Sequence, residues 1–353
     1  MKQLGYGIVG TGMIAKVHAK AIAEIEGCRV AAFFNPKPGR ADALAKEYGA
    51  AAYDSMDAFL ADAGVDIVSI ATPSGNHLEG ALAAIAAGKH VMVEKPLEIT
   101  VERCDRIIAA AKEKGVLLGG IFHSRYHEVP RLIKRAVDAG RFGKISIADA
   151  QVKWYRTQEY YDGGAWRGTW ALDGGGALMN QSIHAIDLLQ WFMGPVTEVM
   201  GLIATVGHER IEVEDTAVAT LRFANGGLGV IEGTTAAYPG FLKRIEICGA
   251  RGSAVLEEES LKEWRFADEM PEDKAVRQNY MNATSSGGGA ADPGAIGYHG
   301  HKMEFADFAD AAREKRSFLL DGTEARKAVE IIQAVYESAR ANRPMPLPLE
   351  RFQ

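Results

Sequence analysis

An apolar run, Leu4-Gly5-Tyr6-Gly7-Ile8-Val9, passes at Gly10-Thr11-Gly12 into Met13-Ile14-Ala15 and a stretch patterned as a helix. A buried strand feeding a glycine turn and then a helix commits the start of the chain to one kind of unit. Gly10 lets the chain leave the strand sharply, Gly12 lets a pyrophosphate approach the backbone, and small Ala15 lets the helix pack close to a sheet. The helix N-terminus then offers unpaired N–H groups and the positive end of its dipole to phosphate. The segment reads as a dinucleotide-binding turn, with Gly10, Thr11, Gly12, Met13 and Ile14 as cofactor contacts.

The next hundred residues repeat the same alternation. Val30–Phe34, Asp66–Ala71, His90–Val93 and Val116–Ile121 are short apolar runs. Helical stretches near Arg40–Tyr48, at Leu78–Ala87 (closed by Gly88) and at Val101–Lys114 (ended by Gly115) lie between them. Apolar strands separated by helices predict a doubly wound parallel sheet. After about residue 143 the pattern becomes period two. Ile145–Val152, Val196–Thr205, Thr216–Phe223, Gly227–Thr234 and Leu242–Cys248 read as half-buried strands of a mainly antiparallel sheet, with Asn225-Gly226-Gly227 as a hairpin turn. A helix near Ile183–Phe192 interrupts them, and helices near His301–Arg313 and Thr323–Ala341 close the chain. The glycine/serine-rich stretch at 281–297 reads as a linker, with a lid as the alternative. At 353 residues the chain is too long for one core.

Charge and composition exclude other classes. A net charge of −6 is the wrong sign for a nucleic-acid binder, and no apolar run is long enough to span a membrane. Met1-Lys2-Gln3 enters the first strand directly, with no secretory leader, so a cytoplasmic protein is expected. Cys28, Cys104 and Cys248 lie far apart, without a CxxC, so neither a disulfide framework nor a metal site is expected.

Three further segments carry chemistry. At the end of the second strand, where an acidic residue would select NAD through the adenosine ribose, stands Asn35. Lys37 and Arg40 follow and could attract a 2′-phosphate. They read equally well as solvated cations, so NAD and NADP both stay open. Thr72-Pro73 with Asn76-His77, and Glu94-Lys95-Pro96, each follow a buried strand at the edge where open α/β sheets bind ligands. Lys95 can steady an alkoxide there or, alternatively, pair with Glu94 at the surface. In Gly174-Gly175-Gly176 to Asp187, helical spacing puts Asn180, His184 and Asp187 on one face. A neutral His accepts a hydroxyl proton near neutral pH; periodicity alone favours an ordinary polar face of an amphipathic helix.

Together, and in this order, the segments resemble the Gfo/Idh/MocA oxidoreductase family, which includes glucose-fructose oxidoreductase and inositol dehydrogenase. The resemblance covers essentially the whole chain. It implies a Rossmann domain over 1–122 and a substrate-binding and oligomerisation α/β domain over 123–353, whose open sheet often forms the interface of a homodimer or homotetramer. The C-terminal helices have the option of packing back on the first domain. It also implies that Lys95 and His184 flank the substrate carbon facing the nicotinamide. Thr72, Pro73, Asn76, His77, Glu94 and Arg125 would then lie near the cofactor. Many members carry Asp where this chain has Asn180. Asn can hold a substrate hydroxyl or the ring of His184 but takes no proton, so the base is expected to be His184, with Asp187 at the substrate or orienting the ring.

Arg156, Trp166 and Arg167 lie in aromatic, arginine-bearing stretches suited to a sugar. The same stretches, with Asn before the His, resemble the branch that includes UDP-N-acetyl-amino-uronate 3-dehydrogenases. His301 is a weaker candidate for the pocket wall. The expected activity is NAD- or NADP-dependent oxidation of a ring hydroxyl of a carbohydrate, nucleotide-sugar or polyol. Alternatives are a redox-assisted glycoside-cleaving enzyme working through transient C3 oxidation, an NADPH-dependent keto-sugar reductase, and a non-catalytic dinucleotide sensor.

Overall fold

Because Leu4–Val9 is apolar on both sides, it can be satisfied only inside a sheet covered on both faces. In the computed structural model, which describes residues 3–281, 290 and 297–349, it forms β1. This strand pairs in parallel with Cys28–Phe34 (β2) on one side. Ile67–Ile70, which is β4 because Ala51–Tyr53 (β3) precedes it, pairs on the other. His90–Val93 (β5) and Leu118–Gly120 (β6) complete a parallel sheet of order β3-β2-β1-β4-β5-β6. Strand order reverses between β1 and β4, and a ligand crevice opens beyond the carboxyl ends of strands at such a point. Gly10 leaves β1 and Thr72 follows β4 at that edge.

Helix ends follow their signals. Thr100 accepts a hydrogen bond from the Arg103 N–H at the start of Val101–Lys114, and Gly115 closes it in the left-handed region at φ 70°. Two elements had no readable sequence signal. The strand Ala51–Tyr53 has three residues and the helix Met56–Ala61 six, too few for a period to emerge.

The chain divides into two compact units, one of Met1–His123 with Tyr298–Arg326, the other of Ser124–Gly297 with Lys327–Gln353. In the first unit, the helix His299–Glu314 lies against Met13–Ala23. The Tyr6 hydroxyl donates to the Phe305 carbonyl at 2.8 Å, and the two rings meet edge to face.

The second unit is built on an eight-stranded sheet of order β13-β12-β11-β7-β10-β9-β8-β14. Its central strands are Ile145–Lys153 (β7), Val196–Ala204 (β8), Thr216–Phe223 (β9), Leu228–Thr234 (β10) and Arg244–Gly249 (β11). The sheet is antiparallel except where β10 runs parallel to β7. The Asn225 turn is present: Gly226 sits at φ 86°, and the Asn225 side-chain oxygen accepts from the Gly227 N–H. The hairpin Gly252–Glu257 (β12) and Ser260–Phe266 (β13) was not anticipated. Its run Glu257-Glu258-Glu259 hides the alternation of buried Leu256, Leu261 and Trp264. The two-residue strand Met345–Pro346 (β14) pairs at the edge with β8.

One face of this sheet is covered by the helix Ile183–Met193. The opposite face exposes Ile147, Leu202, Val218 and Leu228, between 45% and 65% each. Leu228 pairs with Ile147, and Val218 with Leu202, so these four point the same way. No helix of the described residues is long and apolar enough to cross a membrane. Apart from Met281, Ala290 and Gly297, the glycine/serine-rich stretch lies outside the described residues.

Candidate functional site

Gly10 holds φ at 114°, and a Cβ there would sit 2.5 Å from the Ala71 carbonyl oxygen, so only glycine fits. At Gly12 a Cβ would meet nothing within 4 Å. Gly12 is the N-cap of the following helix, whose first turn takes no side-chain cap from it. A turn closed behind and open in front fits a pyrophosphate.

At the end of β2, the Asn35 amide donates to the Thr11 hydroxyl at 2.8 Å and its oxygen accepts from the Lys37 N–H at 3.0 Å. Asn35 therefore ties the glycine turn to the next loop. A shallow, open cleft beside it is lined by Lys37 together with Asp42 and Asp54. Arg40 is exposed and does not line it.

Glu94 lies at the carboxyl end of β5, buried. Its Oε1 is 2.9 Å from His18 Nε2 and 3.7 Å from His301 Nε2, and its Oε2 accepts from the Lys95 N–H at 2.9 Å. His18 Nδ1 reaches the Ser69 hydroxyl at 3.0 Å, and the His123 ring stacks on His301. Burial drives the His18 imidazole below its ordinary pKa, against the raising effect of the Glu94 hydrogen bond. Burial alone would raise Glu94, but the hydrogen bonds from His18 and His301 outweigh it and hold the carboxyl well below the usual range. One side-chain atom from each of His18, Glu94 and His301 lies within 4.8 Å of the others, and the 2.9 Å contact ties Glu94 directly to His18. The alternative of a surface Lys95–Glu94 pair does not hold for Glu94, whose carboxylate is buried and turned to His18.

His77 was expected at the cofactor. Its ring is 1% exposed, with its nitrogens 2.9 Å and 3.1 Å from the carbonyl oxygens of Pro96 and Thr72. It staples the two edge turns together instead. Thr72, Pro73 and Lys95 are half-buried and Asn76 is exposed.

In the second unit the glycine triplet threads a narrow gap. A Cβ on Gly175 would sit 2.1 Å from the Tyr336 hydroxyl, and one on Gly176 1.8 Å from the Glu214 carbonyl. Beyond it the expected helix forms, but its first part, Ala177–Ser182, is a π-helix before the α-helix Ile183–Met193. Such turns recur at functional sites. They also break the regular helical spacing assumed for Asn180, His184 and Asp187. Asn180 and His184 are half-buried, whereas Asp187 is fully buried. Every residue of the α-helix except His184 and Trp191 is buried, which is not the solvated polar face that periodicity favoured.

Asp187 and Arg125 require correction. The Arg125 Nη2 and Nε donate to Asp187 at 2.6 Å and 2.8 Å, both side chains wholly buried. Neither is exposed to a substrate or cofactor. The pair instead locks Arg125 to the helix.

Glu214 closes the other end of that helix. Its carboxylate accepts from the N–H groups of Gly176 and Leu178, each at 2.9 Å, and from the Tyr336 hydroxyl at 2.8 Å. It is a buried remote cap for the helix N-terminus. Burial pushes its carboxyl up to about 7.

Asn180 donates to Asp173 at 2.6 Å and accepts from the Gln181 amide at 3.2 Å. Arg156, 3% exposed, donates to Gln181 and to the carbonyls of Tyr155 and Ala290, so its grip is on the chain itself. Arg167 lies over the rings of Tyr160 and Trp166 and donates to the Tyr160 carbonyl. Its buried Nε has no hydrogen-bond partner among the described residues. Sequence reasoning missed His18, Asp173, Gln181, Glu214 and Tyr336. Asp173 and Gln181 adjoin singled-out motifs, while the others carried no local signal.

Residues 4–122 match the family model described as an oxidoreductase family with an NAD-binding Rossmann fold, and residues 131–255 match the GFO/IDH/MocA C-terminal domain. The WlbA dehydrogenase from Bordetella pertussis, solved in complex with NADH and UDP-GlcNAcA, superposes with a TM-score of 0.89 at 34% identity, covering 99% of each chain. The levoglucosan dehydrogenase of Pseudarthrobacter phenanthrenivorans is 27% identical over 96% of this chain and 97% of its own. The myo-inositol 2-dehydrogenase of Thermotoga maritima is 29% identical over 70% of this chain and 73% of its own.

Proposed function

The chain belongs to the GFO/IDH/MocA oxidoreductase family, and from that premise we propose that it is a dehydrogenase oxidising a ring hydroxyl of a nucleotide-linked acidic sugar. One observation carries the reading. In a helix buried except at His184 and Trp191, His184 is left half-exposed near its start, following the half-buried Asn180 of the π-turn. A neutral imidazole in that place takes the hydroxyl proton. Lys95, on the turn fixed by Glu94 and His77, lowers the pKa of that hydroxyl and steadies the developing alkoxide. Asn180, through its side-chain oxygen, holds the neighbouring hydroxyl of the same ring. Gly10–Ile14 with Asn35, Thr72 and Pro73 would hold NAD, which would supply the hydride acceptor.

The first unit then serves the dinucleotide and the second the substrate. The acidic-sugar choice follows the Bordetella pertussis relative, whose likeness spans 99% of the chain. It also follows Arg167, which brings a guanidinium Nε with no partner among the described residues to a pair of aromatic rings. The open apolar face of the second sheet serves self-association into a homodimer or homotetramer.

Reduction of nicotinamide by the purified protein, with UDP-GlcNAcA set against free sugars and polyols, tests this. Turnover is expected on the UDP-sugar, and Lys95→Ala and His184→Ala should each lower it by about 100-fold or more. Turnover confined to free sugars or polyols would overturn the substrate, and near-normal turnover in either variant would remove that residue's role.

A further inference from the structure

A carboxylate stands next to Asn180 although position 180 itself has none. Asp173 is 1% exposed, with Oδ2 accepting from the Gly168 N–H at 3.0 Å and Oδ1 accepting from Asn180 Nδ2 at 2.6 Å. The chain continues away from it. Gln181 Nε2 donates to Asn180 Oδ1 at 3.2 Å and to the Tyr160 hydroxyl at 3.1 Å, and Arg156 Nη2 donates to Gln181 Oε1 at 2.9 Å. A carboxylate only accepts and a guanidinium only donates. With one at each end, the two carboxamides between them have a single consistent orientation. Such a run of aligned hydrogen bonds polarises along its length.

We propose that Asp173 is a positioning residue for the oxidation. It supplies, one side chain back, the negative charge that Asn180 lacks, and with Arg156 it fixes the Asn180 carboxamide so that Oδ1 is the acceptor offered to the substrate hydroxyl beside the reacting one. This rests on the reading that Asn180 holds that hydroxyl. The arrangement makes a counterintuitive demand on position 180. Placing a carboxylate there sets two acids about 3 Å apart, where both cannot stay ionised. Exchanging the two side chains keeps every donor facing an acceptor: the amide at 173 donates forward and accepts from Gly168, and the carboxylate at 180 accepts from both sides.

The test compares Asn180→Asp, Asp173→Asn and the double exchange D173N/N180D with the parent protein. Turnover is followed with NAD and UDP-GlcNAcA, and Tm is measured without substrate between roughly pH 5 and pH 8. Asn180→Asp should lower kcat by about 100-fold near pH 8 with KM little changed, and its Tm should gain on acidification as the pair captures a proton. The double exchange should recover kcat to within about tenfold and return the parent's pH dependence of Tm. Asn180→Asp as active as the parent, or a double exchange no better than Asn180→Asp, would overturn the proposal. Should His184→Ala keep full turnover, the functional reading falls, while the Tm comparison still decides the pairing.

Discussion

Arg125 and Asp187 face each other through two parallel hydrogen bonds, Nη2 to Oδ1 at 2.6 Å and Nε to Oδ2 at 2.8 Å, with neither side chain exposed. A bidentate pair taken wholly out of water contributes little net stability while intact, yet removing one partner strands the other's charge. Asp187→Ala should therefore cost about 3–5 kcal/mol in urea unfolding. The double variant R125M/D187L should cost clearly less than Asp187→Ala alone. Equal losses in the two would mean that the bonds themselves, rather than the stranded charge, hold the helix.

Gly10 and Gly12 share a motif but not a constraint. A methyl at Gly10 meets the Ala71 carbonyl at 2.5 Å from a left-handed backbone, whereas one at Gly12 meets nothing within 4 Å. Gly10→Ala should lower Tm, by strain of about 1–3 kcal/mol. Gly12→Ala should leave Tm in place and weaken NAD binding by about tenfold or more, because the methyl takes the space the phosphates need. Calorimetric titration with NAD beside a melting curve separates the two. A Gly12→Ala protein that binds NAD normally would put the pyrophosphate elsewhere.

The contrast marks how far the sequence could be read. Gly10, Gly12, the strand edges and the helix stops are local, because each follows from a turn or a period within a few residues. Asn180 and His184 were singled out by the family resemblance, since the helical spacing alone favoured a plain polar face and the π-turn breaks it. What stayed hidden depends on partners far away in the chain. Glu214 lies more than thirty residues beyond the glycines it caps, and Tyr336 well over a hundred beyond Glu214. Nothing near Asp187 reveals that Arg125 will claim it, or near His77 that two carbonyls will. The π-turn was hidden for another reason. Its residues suit an α-helix, and Glu214, gripping Gly176 and Leu178, fixes where it begins.

The exposed side chains of the second sheet make self-association measurable. Leu202 and Val218 are cross-strand partners, 65% and 47% exposed, on a face that no other described element buries at these positions. Burying such a face against a second copy removes apolar area at about 25 cal/mol per Å². Replacing both with Lys sets like charges across that contact. Light scattering should show the parent protein as a dimer or tetramer and L202K/V218K shifted toward monomer, with Tm of the monomer preserved. A parent that is monomeric at high micromolar concentration would remove the assignment of this face.

Glu214 sets a pH dependence whose sign runs against the usual one for carboxylates. Burial raises its carboxyl from 4.5 to about 7, against the three donors that favour the anion. The folded protein therefore holds a proton that the unfolded chain gives up between those values. Below the lower one both states are protonated, and the contribution to stability is complete. It is lost as pH rises through the window and is gone above the folded value. Two and a half pH units at about 1.4 kcal/mol each make this about 3.5 kcal/mol. The titratable groups around it are Tyr336, hydrogen-bonded to it and itself under the influence of Asp173, and Tyr161, with Asp215 hydrogen-bonded to His208 on the adjoining loop. Glu214→Gln keeps the shape and removes the titration. The unfolding free energy of the parent, minus that of Glu214→Gln, should fall by that amount between the two pH limits and stay flat above them. A difference that does not vary with pH would mean the carboxylate is ionised throughout, its donors outweighing its burial.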